Sequence, residues 1–506
     1  MKTFAKFFLH FSLVILSCLT AGCTSEVETI GGTPEIPENP QANDPNRRSV
    51  VISLQNKLIL VNGTPESRAI THDGIAEEDE NRIESFDIYA FGSDKEEGPY
   101  TFQERFAYRS DAGTLPAGAS PLELKADEAA GKINVVFYPR KGLFTKFYCV
   151  ANQTEMNDAA GNIYTNYTQL QQSSQPPSSV PGDMVTSPGT PTESDFVKLN
   201  TPLLNPTGFN ADVLLAPLPM SGANSQPTDL REYSMGTYVR LNVSLTRAVA
   251  RFDIVNDATK SHFTITDISM GNGRQGVTLF PIRPTGDVPA TNGQLITYPY
   301  RLFDGLNANA GTTTKAFYCY PCKAIDAGFL ILKGLYTMNL TDEKKEVSYR
   351  IPFERVTDGN GTRIEINHNH RYTVQITEAD PFELTANIRL VDWETGDYID
   401  DYEPDNGLET IAVADLLPVG ETTYNISTNI VTLALKTGSS FTVSTGSNAG
   451  VNAQLTYNGN SPTDGWLKLE EVPVTTTRTG ATQQVKYKIS FNENYTGSSY
   501  PRGILH

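Results

Sequence analysis

Beyond Arg48 the apolar residues of this chain recur at every second position in short runs, and almost nowhere at the 3.6-residue period of an amphipathic helix. "IESFDIYAF" and "TKFYCVAN" alternate in this way, and "SVVISLQNKLILV" is dense in Val, Ile and Leu. Gly, Pro, Asn and Asp separate the runs throughout. Only "EEDENRIE" and "ADVLLA" carry a helical signal, each sufficient for one turn. Such a pattern predicts an all-β chain of tandem β-sandwiches. The sheets are expected to be antiparallel, because parallel pairing needs crossover helices that the sequence does not supply.

A chain of 506 residues exceeds the size at which one hydrophobic core stops growing, so two to four domains are expected. The formal net charge of −18 keeps such a surface soluble and repels phosphate backbones, which argues against a nucleic-acid partner. Five cysteines, two of them in the apolar N-terminus, are too few for a disulfide framework, so stability must come from packing.

The N-terminus reads as a targeting segment. Lys2 and Lys6 precede an apolar stretch from Phe7 to Leu19 that is too short for a permanent membrane helix, and "LTAGC" ends it with small residues before Cys23. This resembles a lipoprotein signal peptide over residues 1–22 with Cys23 acylated; Cys18 is a rival position. Residues 23–48, rich in Pro, Gly and Glu, read as a flexible tether. The protein is expected to be exported and to begin on a membrane surface.

Composition sets the remaining boundaries. A first sandwich is expected over 49–238, interrupted by the Ser- and Pro-rich segment Gln169 to Asp195, and a second over 239–400, opening at "YVRLNVSLTRAVARFDIV". The acidic "TGDYIDDYEPDNGLE" reads as a linker into a third unit, 401–506.

The residues then carry a resemblance. An acylated cysteine, a first β run, "SRA", "DENRIESFDIYAF", "KFYCVAN", "LPMSG", "LTRAVARFDI", "KAFYCYPCKA", "NHRYTVQI" and "IRLVDW", in this order, resemble the fimbrillin family, the subunits of protease-assembled type V pili. The resemblance implies two transthyretin-type sandwiches and a lipoprotein precursor held on the outer membrane before it joins a fimbrium. It further implies a cut by an arginine-specific protease after the first strand, at Arg68 followed by Ala69, with Ser49 to Val61 as the removable strand. Arg47 and Arg48 are rival sites, although cutting there would leave the β run attached. Its loss would open a groove that a strand of a neighbouring subunit fills by β-augmentation. A lone arginine in a polar loop is otherwise unremarkable, since loops are where proteases cut.

Residues from about Leu408 are similar to BACON-like and related Ig-like modules, with Trp466 as the buried aromatic, "VKYKISF" as a strand and Asn494 at a turn; the last strand, at "RGILH", looks shortened. An appended third module suits a tip or accessory subunit with an adhesive ligand on a host or bacterial surface. The second reading is a lipid-anchored surface protein that binds polysaccharide, or a pilus anchor subunit that keeps its lipid; exposed aromatics would then stack on sugars.

No catalytic, metal or cofactor site is expected, and the chain is not read as an enzyme. "GNGRQG", Gly271 to Gly276, has dinucleotide-loop spacing but is followed by "VTLFPIRP", which does not start a helix, and so reads as a turn. Cys319 and Cys322 in "CYPC" end a β run instead of opening a helix, which disfavours a redox pair and leaves a structural disulfide open. His368 and His370 are expected on one face of a strand without a third ligand. "DGNGT", Asp358 to Thr362, suits a hairpin better than a calcium loop.

Overall fold

The computed structural model describes residues 40–55, 59–60, 76–111, 114–127, 132–158, 163–165, 192–207, 211–231, 237–280, 294–338, 343–357, 360–381, 383–393, 398–404, 411–447, 453, 455–457, 467–473, 483–491 and 503–505. Cys18, Cys23, Arg68, Ala69, Trp466 and Asn494 lie outside them. Among the described residues the chain is all β, with a few single-turn helices, and no helix is long and apolar enough to cross a membrane.

The first unit is a sandwich of two sheets. One orders the strands Tyr238–Val243, Ser49–Leu54, Lys132–Phe137 and Glu123–Asp127; the other orders Thr246–Arg247, Met220–Asp229, Phe144–Ala151, Ser85–Ser93, Thr101–Arg109 and Ala119–Pro121. Their facing sides meet in one core: Val50, Ile52, Val135 and Phe137 from the first sheet against Phe86, Ile88, Phe106 and Phe147 from the second. Alternation at a period of two therefore does here what the sequence pattern requires, with every second side chain facing the opposite sheet.

The second unit repeats the plan. Strands Ala310–Cys319, Ala250–Asp257, His370–Ala379, Leu384–Asp392 and Tyr398–Tyr402 form one sheet, and Arg301–Leu302, Phe263–Gly271, Phe329–Tyr336 and Lys345–Pro352 the other. Phe252, Ile254, Tyr372 and Ile388 pack against Ile265, Met270, Leu330 and Ile351 between them. The third unit has one four-stranded sheet, Ala412–Leu417, Ser440–Ser447, Gln483–Phe491 and Leu467–Val472, and two separate pairs, Thr423–Asn425 with Ile430–Thr432 and Leu455–Tyr457 with Gly503–Leu505. Its core of Val443, Leu455 and Ile489 is small.

Several sequence expectations are corrected. The boundary at 238/239 falls inside the first sandwich, because Tyr238–Val243 pairs with Ser49–Leu54 and Thr246–Arg247 pairs with Met220–Asp229. At its other end the second unit runs past 400, since Tyr398–Tyr402 pairs with Leu384–Asp392 and buries Tyr402. Not all pairing is antiparallel: Ser49–Leu54 runs parallel to Tyr238–Val243, and Ala250–Asp257 parallel to His370–Ala379. Most of a sandwich separates the members of each pair in sequence, so the intervening strands themselves provide the crossover that a helix was expected to provide. The "EEDENRIE" turn is present as a 3-10 helix, Asp79–Asn81, whereas residues 211–216 form no helix. The tether does not extend to Arg48, because the backbone of residues 46–48 is hydrogen bonded to residues 139–141.

Candidate functional site

The Ser49–Leu54 strand occupies an unusual place for a first strand. It is interior to its sheet, with Val50, Ile52 and Leu54 opposite Phe137, Val135 and Ile133 on one side and Val239, Leu241 and Val243 on the other. These three side chains are fully buried, while Ser49, Val51 and Ser53 alternate outward. Below them Phe137 packs between Phe106 at 4.9 Å and Phe147 at 5.2 Å, so the strand seals an aromatic floor. At about 1.5–3 kcal/mol per aliphatic side chain, the three contribute roughly 5–9 kcal/mol as an upper estimate. Withdrawal of this strand would leave a slot one strand wide, with unpaired N–H and C=O groups on both walls and an apolar base.

The expected removable strand, Ser49 to Val61, is not continuous: Ile59–Leu60 leave this sheet and pair in parallel with Arg82–Ile83. The chain on either side of residues 56–75 is anchored differently. Upstream, the Arg47 guanidinium donates to Glu104 Oε1 at 2.9 Å and to the Tyr138 carbonyl at 2.6 Å, and its backbone bridges Arg140. An arginine so engaged is not offered to a protease, which needs an extended, unpaired backbone with the side chain free to enter a pocket; Arg48, whose N–H donates to the Pro139 carbonyl, is held the same way. Arg68 and Ala69 belong to the segment outside the described residues.

Downstream, the Asp79–Asn81 turn is fixed to the second unit. Glu80 accepts from Arg251 Nη1 at 2.7 Å, from the Tyr318 hydroxyl and from the Glu77 N–H. Lys315 Nζ lies 2.8 Å from Glu77 and 2.9 Å from Asp79. Arg247 donates to Asn81, and its guanidinium covers the Trp393 ring at 4.9 Å, with Tyr318 stacked near-parallel on that indole. Burial pushes the Glu80 carboxyl up, opposed by Arg251 and Tyr318. Burial likewise works against the Arg251 charge, but Asp253 and then Glu80 outweigh it and raise its pKa. Three donors face Glu80, so we read it as the anion of a charge-assisted cluster. Sequence reading missed this cluster. Its one visible signal was "ARFD", where Arg251 and Asp253 two apart share a strand face.

The remaining motifs resolve locally. Gly271 to Gly276 follow a strand and open no helix; Gly271 instead lies under the Phe329 ring, where any side chain would collide. Cys319 and Cys322 are free, buried thiols, as is Cys149, and burial pushes Cys322 up to about 12, away from thiolate reactivity. His368 and His370 do not share a strand face, contrary to expectation. His368 precedes the His370–Ala379 strand, and Asn369 between them has a left-handed φ of 55°, which breaks the two-residue period. His368 is buried and its pKa falls to about 4 through desolvation and the neighbouring His370. Among the described residues no group of three or more His, Cys, Asp and Glu is placed to hold a metal ion. Glu354–Thr357 and Asn360–Arg363 pair antiparallel, and Asp358 and Gly359 of "DGNGT" lie outside the described residues.

No family model matches the chain, and no curated protein matches it. Among solved structures, a C-terminally truncated tip fimbrial protein Mfa3 from Porphyromonas gingivalis is 14% identical, covering 69% of this chain and 100% of its own, with a TM-score of 0.39. A protein described as a candidate for cell adhesion from Bacteroides eggerthii is 14% identical over 69% of this chain and 96% of its own, with a TM-score of 0.36. The fimbrial anchor protein Mfa2 from Porphyromonas gingivalis is 9% identical over 70% of this chain and 100% of its own, with a TM-score of 0.25. Superpositions this loose do not transfer the role of any residue.

Proposed function

We propose that this chain is the exported lipoprotein precursor of a pilus subunit of the tip or accessory type, acylated at Cys23 and matured by an arginine-specific protease that cuts after Arg68. Subunits then join when a strand of a neighbouring copy takes the place of Ser49–Leu54. The observation that supports this most is the interior, doubly paired position of that strand, with three fully buried aliphatic side chains. A strand in that position is both removable by one cut and replaceable by an extended segment with apolar residues at alternate positions. The third unit is assigned adhesion: Val419, Ile426 and Ile430 stand exposed on it in one short stretch, as side chains of a contact surface do.

Substitution Arg68→Ala tests the reading. The variant is expected to remain monomeric and attached to the membrane, whereas the unaltered protein enters heat-labile, high-molecular-weight polymers that begin at Ala69. Polymers of undiminished yield from the variant would refute it. A surface form that begins at an intact acylated Cys23 would identify a permanently anchored polysaccharide-binding or anchor protein instead.

A further inference from the structure

The approach to the first strand is built into the sandwich. Lys141 N–H donates to the Asn46 carbonyl at 3.0 Å, and Arg48 N–H to the Pro139 carbonyl at 2.8 Å. Glu104 closes the arrangement: one carboxylate oxygen accepts from the Arg47 guanidinium at 2.9 Å, the other from the Arg140 N–H at 2.9 Å. The Arg47 and Glu104 side chains are only 14% and 10% exposed, so water competes little for this bond. At the far end of the strand Gln55 N–H donates to the Val243 carbonyl at 3.0 Å and its exposed side chain to Asn242 at 2.7 Å. None of these contacts depends on the covalent link between Gln55 and Glu77, and the Glu77–Asn81 side of that link is held separately by Arg251, Lys315 and Tyr318.

We propose that Glu104 is a latch on Arg47 that keeps the first strand seated after the chain is cut, so that the strand leaves only when an incoming strand of a second copy displaces it. This rests on the strand-exchange reading above and adds a step to it: scission and release are separate events. The apolar floor under Ile52 is then never open to water between them, which protects a groove that would otherwise aggregate.

The test is limited digestion of the purified protein with an arginine-specific endoprotease, followed by native size-exclusion chromatography and mass spectrometry of the main peak. A cut between residues 56 and 75 is expected with Arg47 and Arg48 intact, and the N-terminal fragment is expected to co-elute with the body. An excess of synthetic peptide spanning residues 46–55 should speed its departure. In Glu104→Gln, and in Arg47→Met as a second variant, the fragment should dissociate at least about tenfold faster, the cost of a weakened charge-assisted bond. Immediate loss of the fragment from the unaltered protein, or release from the variants no faster than from the unaltered protein, would overturn the latch while leaving strand exchange standing. Absence of any cut in 56–75 would remove both.

Discussion

Glu80 and Arg251, 171 residues apart, meet at 2.7 Å with side-chain exposures of 0% and 1%. The carboxylate comes from the turn that enters the first sandwich, and the guanidinium from the opening strand of the second. One ion pair therefore ties the two units downstream of the segment where processing is proposed, where a cut leaves it intact.

Removing one partner leaves the other charge buried without compensation. Glu80→Ala or Arg251→Ala is expected to destabilise the protein by about 3–5 kcal/mol, and the double variant by less than the sum of the two. Equilibrium denaturation of the four proteins in the cycle measures this; additive single effects would contradict the coupling.

His368 gives a pH dependence of definite sign. Its native pKa, about 4, lies below the ordinary value of 6.5, so between these values the unfolded chain binds more protons than the folded one. Stability is complete above about 6.5, falls as pH drops through the window, and stops falling below about 4, for a total of roughly 3 kcal/mol. Comparing unfolding free energies of the unaltered protein and His368→Gln at pH 7.5 and 4.5 isolates this contribution. A difference that does not change between the two pH values would disprove it.

Gly222 sits where the Met220–Asp229 strand passes the chain at Ser244, and an added methyl would lie against the Ser244 carbonyl oxygen. Backbone cannot move aside as a side-chain tip can. Gly222→Ala is expected to cost about 1–3 kcal/mol, read as a lower denaturation midpoint with an unchanged slope. An unchanged midpoint would show that the two strands have room to part.

The sequence by itself determined the class of structure: short apolar runs such as "IESFDIYAF" build strands, and Gly and Asn mark where they turn, although the half-buried reading of this run failed, since its strand Ser85–Ser93 is buried on both faces. The first β run, read from the sequence as one strand over Ser49 to Val61, divides in the structure: Ser49–Leu54 lies in the sandwich sheet, whereas Ile59–Leu60 pairs with Arg82–Ile83. What the sequence could not supply was neighbours. That Ser49–Leu54 lies between Lys132–Phe137 and Tyr238–Val243, that the first sandwich reclaims residues 238–247 from the second, and that Glu80 finds Arg251 all depend on contacts between residues far apart in the chain. The His368 and His370 pair failed for the opposite reason, since one left-handed residue, Asn369, shifted a local period that composition cannot reveal. Side-chain alternation is a property of a single strand and is written locally, whereas strand order and buried charge pairing are decided by which surfaces meet when the sheets close.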